Sequence, residues 1–121
     1  MALPFANKVI TITGGARGMG LATARYLAQR GSTVCLADVR KPELEQARKT
    51  LEHDFPKVKV QADVVDVRHP DQVNSWIKSV KTNHGKLDGC LNGAGERLNQ
   101  LCKSEVNSIY WQASLGRLAN S

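Results

Sequence analysis

The chain has 121 residues and a formal net charge of +6, with 41% of its residues hydrophobic and 23% charged. A chain of this length holds one domain at most, and the balance of apolar and charged residues is that of a soluble globular protein. No run approaches the ~18 apolar residues of a membrane span, and the opening MALPFANK lacks the charged and apolar regions of a signal peptide, so a cytoplasmic location and no membrane partner are expected.

The basic residues are dispersed among Glu43, Glu45, Glu52 and Asp54 instead of forming a tract, which describes a solvated face and no nucleic-acid partner. Cys35, Cys90 and Cys102 contain no Cys-x-x-Cys pair, and an odd count argues against a disulfide framework. Cys35 and Cys90 fall in predicted buried strands, where cysteine behaves as a small apolar residue. His53, His69 and His84 have no ligand spacing and are expected to be solvated, so no metal site is predicted.

After a lead-in over residues 1–7, Val9, Ile10 and Ile12 are interleaved with two threonines. Such β-branched residues fill a buried parallel strand. A turn follows with Gly14, Gly18 and Gly20 at spacing G-x-x-x-G-x-G, and residues 21–30 then place Leu21, Ala24, Leu27 and Ala28 on one helix face, stopped by Gly31. Glycines between a strand and a helix let the backbone turn tightly and approach a ligand, while the helix N-terminus offers unpaired N–H groups to a phosphate. No Lys-Ser or Lys-Thr pair follows the last glycine, so the triphosphate loop pattern is missing and a dinucleotide is the expected ligand.

The second strand, residues 33–37, ends at Asp38, eighteen residues after Gly20. A carboxylate at this distance accepts hydrogen bonds from the adenosine ribose and repels a 2′-phosphate. Pro42 opens a second helix striped by Leu44, Ala47, Leu51 and Phe55, and Pro56 ends it. The alternation KVKVQ over residues 57–61 predicts an edge-like third strand, followed by a loop over residues 63–69 in which Asp66 serves as a helix cap. Pro70 starts a third helix whose Val73, Trp76, Ile77 and Val80 repeat at i, i+3, i+4, i+7, until Gly85 stops it. Residues 87–92 form a fourth strand ending in Asn92-Gly93-Ala94-Gly95, with Asn92 placed where ligands bind open α/β sheets.

This regular alternation predicts an α/β, Rossmann-like, doubly wound parallel sheet, partial, with strand order 3-2-1-4. The expected division is a half-domain over residues 1–95 and an atypical tail over residues 96–121, which has no clear period. Strand four would then be an open edge that invites pairing with another chain, a homo-oligomer included, unless residues 106–112 form a strand that covers it.

The segment Thr13-Gly14-Gly15-Ala16-Arg17-Gly18-Met19-Gly20, Asp63 within QADVVDV, and Asn92-Gly93-Ala94-Gly95 together resemble the short-chain dehydrogenase/reductase family over residues 1–95. The resemblance implies an oxidoreductase that moves hydride between a nicotinamide and a carbonyl or alcohol. It implies cofactor contacts from Gly14, Arg17, Gly18, Met19 and Gly20, from Asp38, from Asp63 and Val64 beside the adenine, and from Asn92, Ala94 and Gly95 toward the nicotinamide ribose. Asp38 favours NAD, whereas Arg17 and Arg40 are counter-signals for NADP. The family's Ser and Tyr-x-x-x-Lys pair have no counterpart after Gly95, because Tyr110 is followed four residues later by Ser114. The resemblance therefore implies no catalytic residue in this chain, a small-molecule substrate only in a full-length form, and a truncated or frame-altered product. The alternative is a non-catalytic dinucleotide-binding or interaction module.

Overall fold

The computed structural model describes residues 4–16, 18–92, 111–114 and 117–120. Strands β1 (Val9–Thr13), β2 (Thr33–Asp38), β3 (Val60–Val64), β4 (Gly89–Asn92), β5 (Trp111–Ser114) and β6 (Arg117–Asn120) form one sheet in the order β3-β2-β1-β4-β5-β6. Helices α1 (Gly18–Gln29), α2 (Lys41–Asp54) and α3 (Pro70–His84) connect the first four strands, which run parallel as the sequence predicts. β5 continues the parallel order beside β4, with Leu91 opposite Trp111 and Asn92 opposite Gln112, and β6 returns antiparallel. The open edge expected at β4 is thus corrected, since β1 and β5 flank it on either side. The covering strand begins at Trp111; residues 106–110 of the expected strand lie outside the described residues.

Side-chain alternation along the strands builds a core on each face of the sheet. Ile10, Ile12, Val34, Leu36 and Leu91 face Ala24, Leu27 and Ala28 of α1 and Leu44, Ala47 and Leu51 of α2. Val9, Cys35, Ala37 and Cys90 face Val73, Trp76, Ile77 and Val80 of α3. The three helix stripes read from the sequence are therefore turned to the core as expected, with Leu21 and Phe55 only partly buried at their ends. Gly31 and Gly85 end α1 and α3 at φ 94° and 81°, in the left-handed region where a side chain is strained.

The third strand starts later than its alternation suggested, at Val60 and not at residue 57. Val58, Val60 and Ala62 do pack on the α1/α2 side, so the phase of the alternation holds. The limits are set by β2, whose Val34–Asp38 pair one to one with Val60–Val64. Asp63 consequently lies in the ladder and not in the following loop.

Asp88 locks β4's approach to β1. Its Oδ2 accepts from the Val9 N–H at 2.9 Å and lies 3.0 Å from Lys86 Nζ, while its own N–H donates to the Val9 carbonyl at 2.8 Å. Asp88→Ala leaves a buried strand N–H unsatisfied, a loss of about 2 kcal/mol. Urea unfolding is expected to show this drop, with Asp88→Asn losing less because it retains an acceptor.

Cys35 is wholly buried on β2, between β1 and β3, and burial first, then the charge of Asp63, pushes its thiol from 9.0 up to about 12. The folded chain thus holds this proton where the unfolded chain releases it. Stability from this group is complete below pH 9.0 and lost as pH rises toward about 12. Unfolding midpoints followed from about pH 8 to about pH 10.5 are expected to fall more steeply in the wild type than in Cys35→Ala. Cys90 is disulfide-bonded, against the expectation of an unpaired apolar residue, and its partner lies outside the described residues.

Candidate functional site

The glycine turn is fastened to the end of β2. Gly14 and Gly15 both donate to the Ala37 carbonyl, at 2.8 and 3.2 Å, and the Ala16 N–H donates to Asp38 Oδ2 at 3.2 Å. Gly14 and Gly18 stand at φ 69° and 62°. Gly20, in the first turn of α1, leaves no space at all, because a Cβ there would sit 2.2 Å from the Gly14 carbonyl oxygen. Turn, helix start and carboxylate therefore form one unit at the carboxyl end of the parallel strands.

α1 differs from the other helices at its start. α2 and α3 each carry a proline in the first two positions and an acid in the first turn, Glu43 and Asp71. α1 has no acidic residue in its first turn. The unpaired N–H groups and positive dipole end there face no carboxylate of their own helix, which suits an anion.

A cleft of about 500 Å³ opens beside this unit, lined by Gly14, Gly18 and Ala37–Arg40 on one side and by Val65–Arg68 on the other. Asp38 is only 6% exposed. Its Oδ1 accepts from the Arg40 N–H at 3.0 Å and lies 3.7 Å from the Arg40 guanidinium, and its carbonyl accepts from Val65 at 3.2 Å. The carboxylate is thus oriented by backbone amides on both oxygens and presented at the cleft floor.

Of the residues predicted for the site, Gly14, Gly18 and Asp38 line this cleft together and Gly20 supports it. Met19 stands 51% exposed on the first turn of α1. Asp63 and Val64 line an adjoining groove of about 540 Å³ against α3, with Asp71, Gln72, Ser75 and Ser79. Asp63 Oδ2 accepts from Gln61 Nε2 at 2.7 Å, and Gln61 Oε1 is 2.9 Å from His84 Nε2, so His84 is partly buried and not solvated. Burial, then Lys59, holds its imidazole below the ordinary value. Asn92 ends β4, in register with Thr13 and Gln112. Arg17, Ala94 and Gly95 lie outside the described residues.

Asp66 is not the expected cap of α3. His69 occupies the cap position without a side-chain bond, and Asp66 instead grips Arg68. Sequence reasoning missed Arg68 as a cleft residue. The available signal was an Asp two residues before an Arg, a spacing that suits an Asx turn, just ahead of the helix-opening Pro70.

The family model described as short chain dehydrogenase matches residues 8–115. The chain belongs to this family. Among curated members, the short-chain dehydrogenase/reductase aba4 of Botryotinia fuckeliana (strain B05.10) is 46% identical over 92 residues, covering 76% of this chain and 35% of that protein. Chanoclavine-I dehydrogenase easD of Claviceps purpurea (strain 20.1) is 42% identical over 90 residues, covering 74% and 34%. Among solved structures, a family member from Burkholderia phymatum in complex with NAD is 32% identical with a TM-score of 0.71, covering 75% of this chain and 32% of that one. The L-sorbose reductase of Gluconobacter frateurii, complexed with NADPH and L-sorbose, is 33% identical with a TM-score of 0.72, covering 79% and 36%. The chain spans about a third of the length of these relatives.

Proposed function

We propose that this chain is the dinucleotide-binding portion of an NAD(P)-dependent oxidoreductase, with NAD favoured over NADP. The observation that carries this is the buried Asp38 carboxylate, held by backbone amides at the floor of the cleft beside the glycine turn. Gly14, Gly18, Met19 and Gly20, with Arg17, would hold the pyrophosphate on the start of α1. Asp38 would accept from the adenosine ribose. Asp63 and Val64 would lie toward the adenine, and Asn92, Ala94 and Gly95 toward the nicotinamide ribose.

When bound, the nicotinamide supplies hydride chemistry toward a carbonyl or alcohol, and the residues of this chain bind and orient the cofactor. In this proposal residues 1–95 are the binding half-domain and residues 96–121 an appended tail. The chain contains no Tyr-x-x-x-Lys pair after Gly95. Turnover and small-molecule substrate recognition are therefore assigned to a longer form, and the chain alone is expected to be inactive. That same absence favours the second reading, a non-catalytic dinucleotide-binding or interaction module. Among the described residues no helix is long and apolar enough to cross a membrane, and a cytoplasmic location is proposed.

A thermal melt of the 121-residue chain with and without NAD and NADP tests the proposal. At a ligand concentration about 100 times Kd the native state gains about 2.7 kcal/mol, a rise in Tm on the order of 10 °C. NAD is expected to give the larger rise. A transition that neither nucleotide moves would refute dinucleotide binding.

A further inference from the structure

The cleft opposite Asp38 is bounded by a residue with no assigned role. Arg68 is held by Asp66 along one edge of its guanidinium: Nε lies 3.0 Å from Oδ1 and Nη2 lies 2.8 Å from Oδ2. The Arg68 N–H also donates to Asp66 Oδ1 at 3.0 Å, and the Asp66 N–H donates to Gln72 Oε1 of α3 at 2.9 Å. The guanidinium is therefore paired at two points, along one edge, with the carboxylate of a residue whose backbone is tied to the helix. The Arg68 hydrogen bond, foremost, holds the Asp66 carboxyl well below the ordinary carboxylate range, so Asp66 stays ionised opposite the guanidinium at any ordinary pH.

Pairing along one edge leaves both flat faces of the guanidinium free. Arg68 is 80% exposed along its side chain and lines the cleft with Val65 and Val67, while Val39, 56% exposed, lines it from the β2 side. A planar cation whose one edge is already taken by a carboxylate, together with the three valines, forms a wall suited to a flat, electron-rich heterocycle. The ribose-binding carboxylate stands across the same cleft.

We infer that Arg68 is the plate on which the adenine ring of the dinucleotide stacks, positioned for this by Asp66. This rests on the dinucleotide-binding function proposed above. Arg68 would act by laying its delocalised planar cation flat on the ring, not by ion-pairing with a phosphate.

The test titrates the 121-residue chain with NAD, ADP-ribose and nicotinamide mononucleotide, comparing wild type with Arg68→Ala and Arg68→Lys. Arg68 is exposed and the substitutions should leave the fold intact, which the melt of each variant verifies. Arg68→Ala is expected to weaken NAD and ADP-ribose roughly ten-fold and to leave nicotinamide mononucleotide unchanged. Arg68→Lys, which keeps the charge and removes the plate, is expected to match Arg68→Ala. Wild-type affinity in Arg68→Ala, or affinity restored by Arg68→Lys, would overturn the stacking role while leaving dinucleotide binding in place. No binding of NAD or ADP-ribose to the wild type would overturn both.

Discussion

Gly20→Ala is expected to lower the stability of the chain by on the order of 3 kcal/mol and its Tm by roughly 10 °C or more. The added Cβ would sit 2.2 Å from the carbonyl oxygen and 2.8 Å from the carbonyl carbon of Gly14, both backbone atoms. Gly14 has little room to retreat, because its own N–H is bonded to Ala37 at 2.8 Å. Relief must come from moving the start of α1 away from the turn, which also spoils the anion-binding geometry. Loss of any NAD-dependent rise in Tm should accompany the drop. Gly18→Ala is the control, since φ is 62° there but nothing lies within 4 Å of the added atom. Its cost is backbone strain alone, about 1 kcal/mol. Equal melting of Gly20→Ala and wild type would show that the turn and helix do not meet as described.

Asp38→Ala is expected to weaken NAD by roughly ten- to a hundred-fold, the range for a hydrogen bond to a charged group. NADP should gain relative to NAD, because the negative charge facing a 2′-phosphate is gone while Arg40 remains 3.7 Å from the vacated position. The structure adds a second consequence. Both Asp38 oxygens accept backbone N–H groups, from Ala16 and Arg40, so alanine also loosens the glycine turn. Asp38→Asn retains one acceptor and should retain more of the stability while still losing the charge. Titration of each variant with NAD and NADP, beside its melt, separates the two effects. Unchanged nucleotide preference in both variants would remove Asp38 from the ribose role.

Much of this was legible in the sequence because it depends on local periodicity. The stripe Val73, Trp76, Ile77 and Val80 could bury only one helix face, and it does. The glycine spacing after a β-branched run required a strand, a tight turn and a helix, and those appear in order. The strand order 3-2-1-4 followed from right-handed crossovers, which leave few alternatives. Asp38 was legible for the same reason, lying at the end of a short strand whose limits were clear.

Other features depend on partners far along the chain. Alternation over residues 57–61 carried the phase of β3 but not its ends, and pairing of Asp38 with Val64 extended the strand past Asp63. A residue expected in a loop became part of the ladder, bonded to Gln61. Asp66 carried a plausible capping signal, yet its carboxylate found a stronger partner in Arg68, because a bidentate guanidinium offers two charge-assisted bonds where a helix start offers one N–H. The covering of β4 was weakest of all, resting on a segment without period.

The sequence by itself determined the family, the alternation of strands and helices, and the glycine turn followed by an acid, because each is a property of neighbouring residues and their spacing. Only the tertiary structure decided that Asp38 holds the glycine turn, that Asp63 faces α3, and that Arg68 and Asp38 bound one cleft. Asp38 is 22 residues from Ala16 and 30 from Arg68, and at such separations chain spacing carries no signal until the sheet brings the strand ends together.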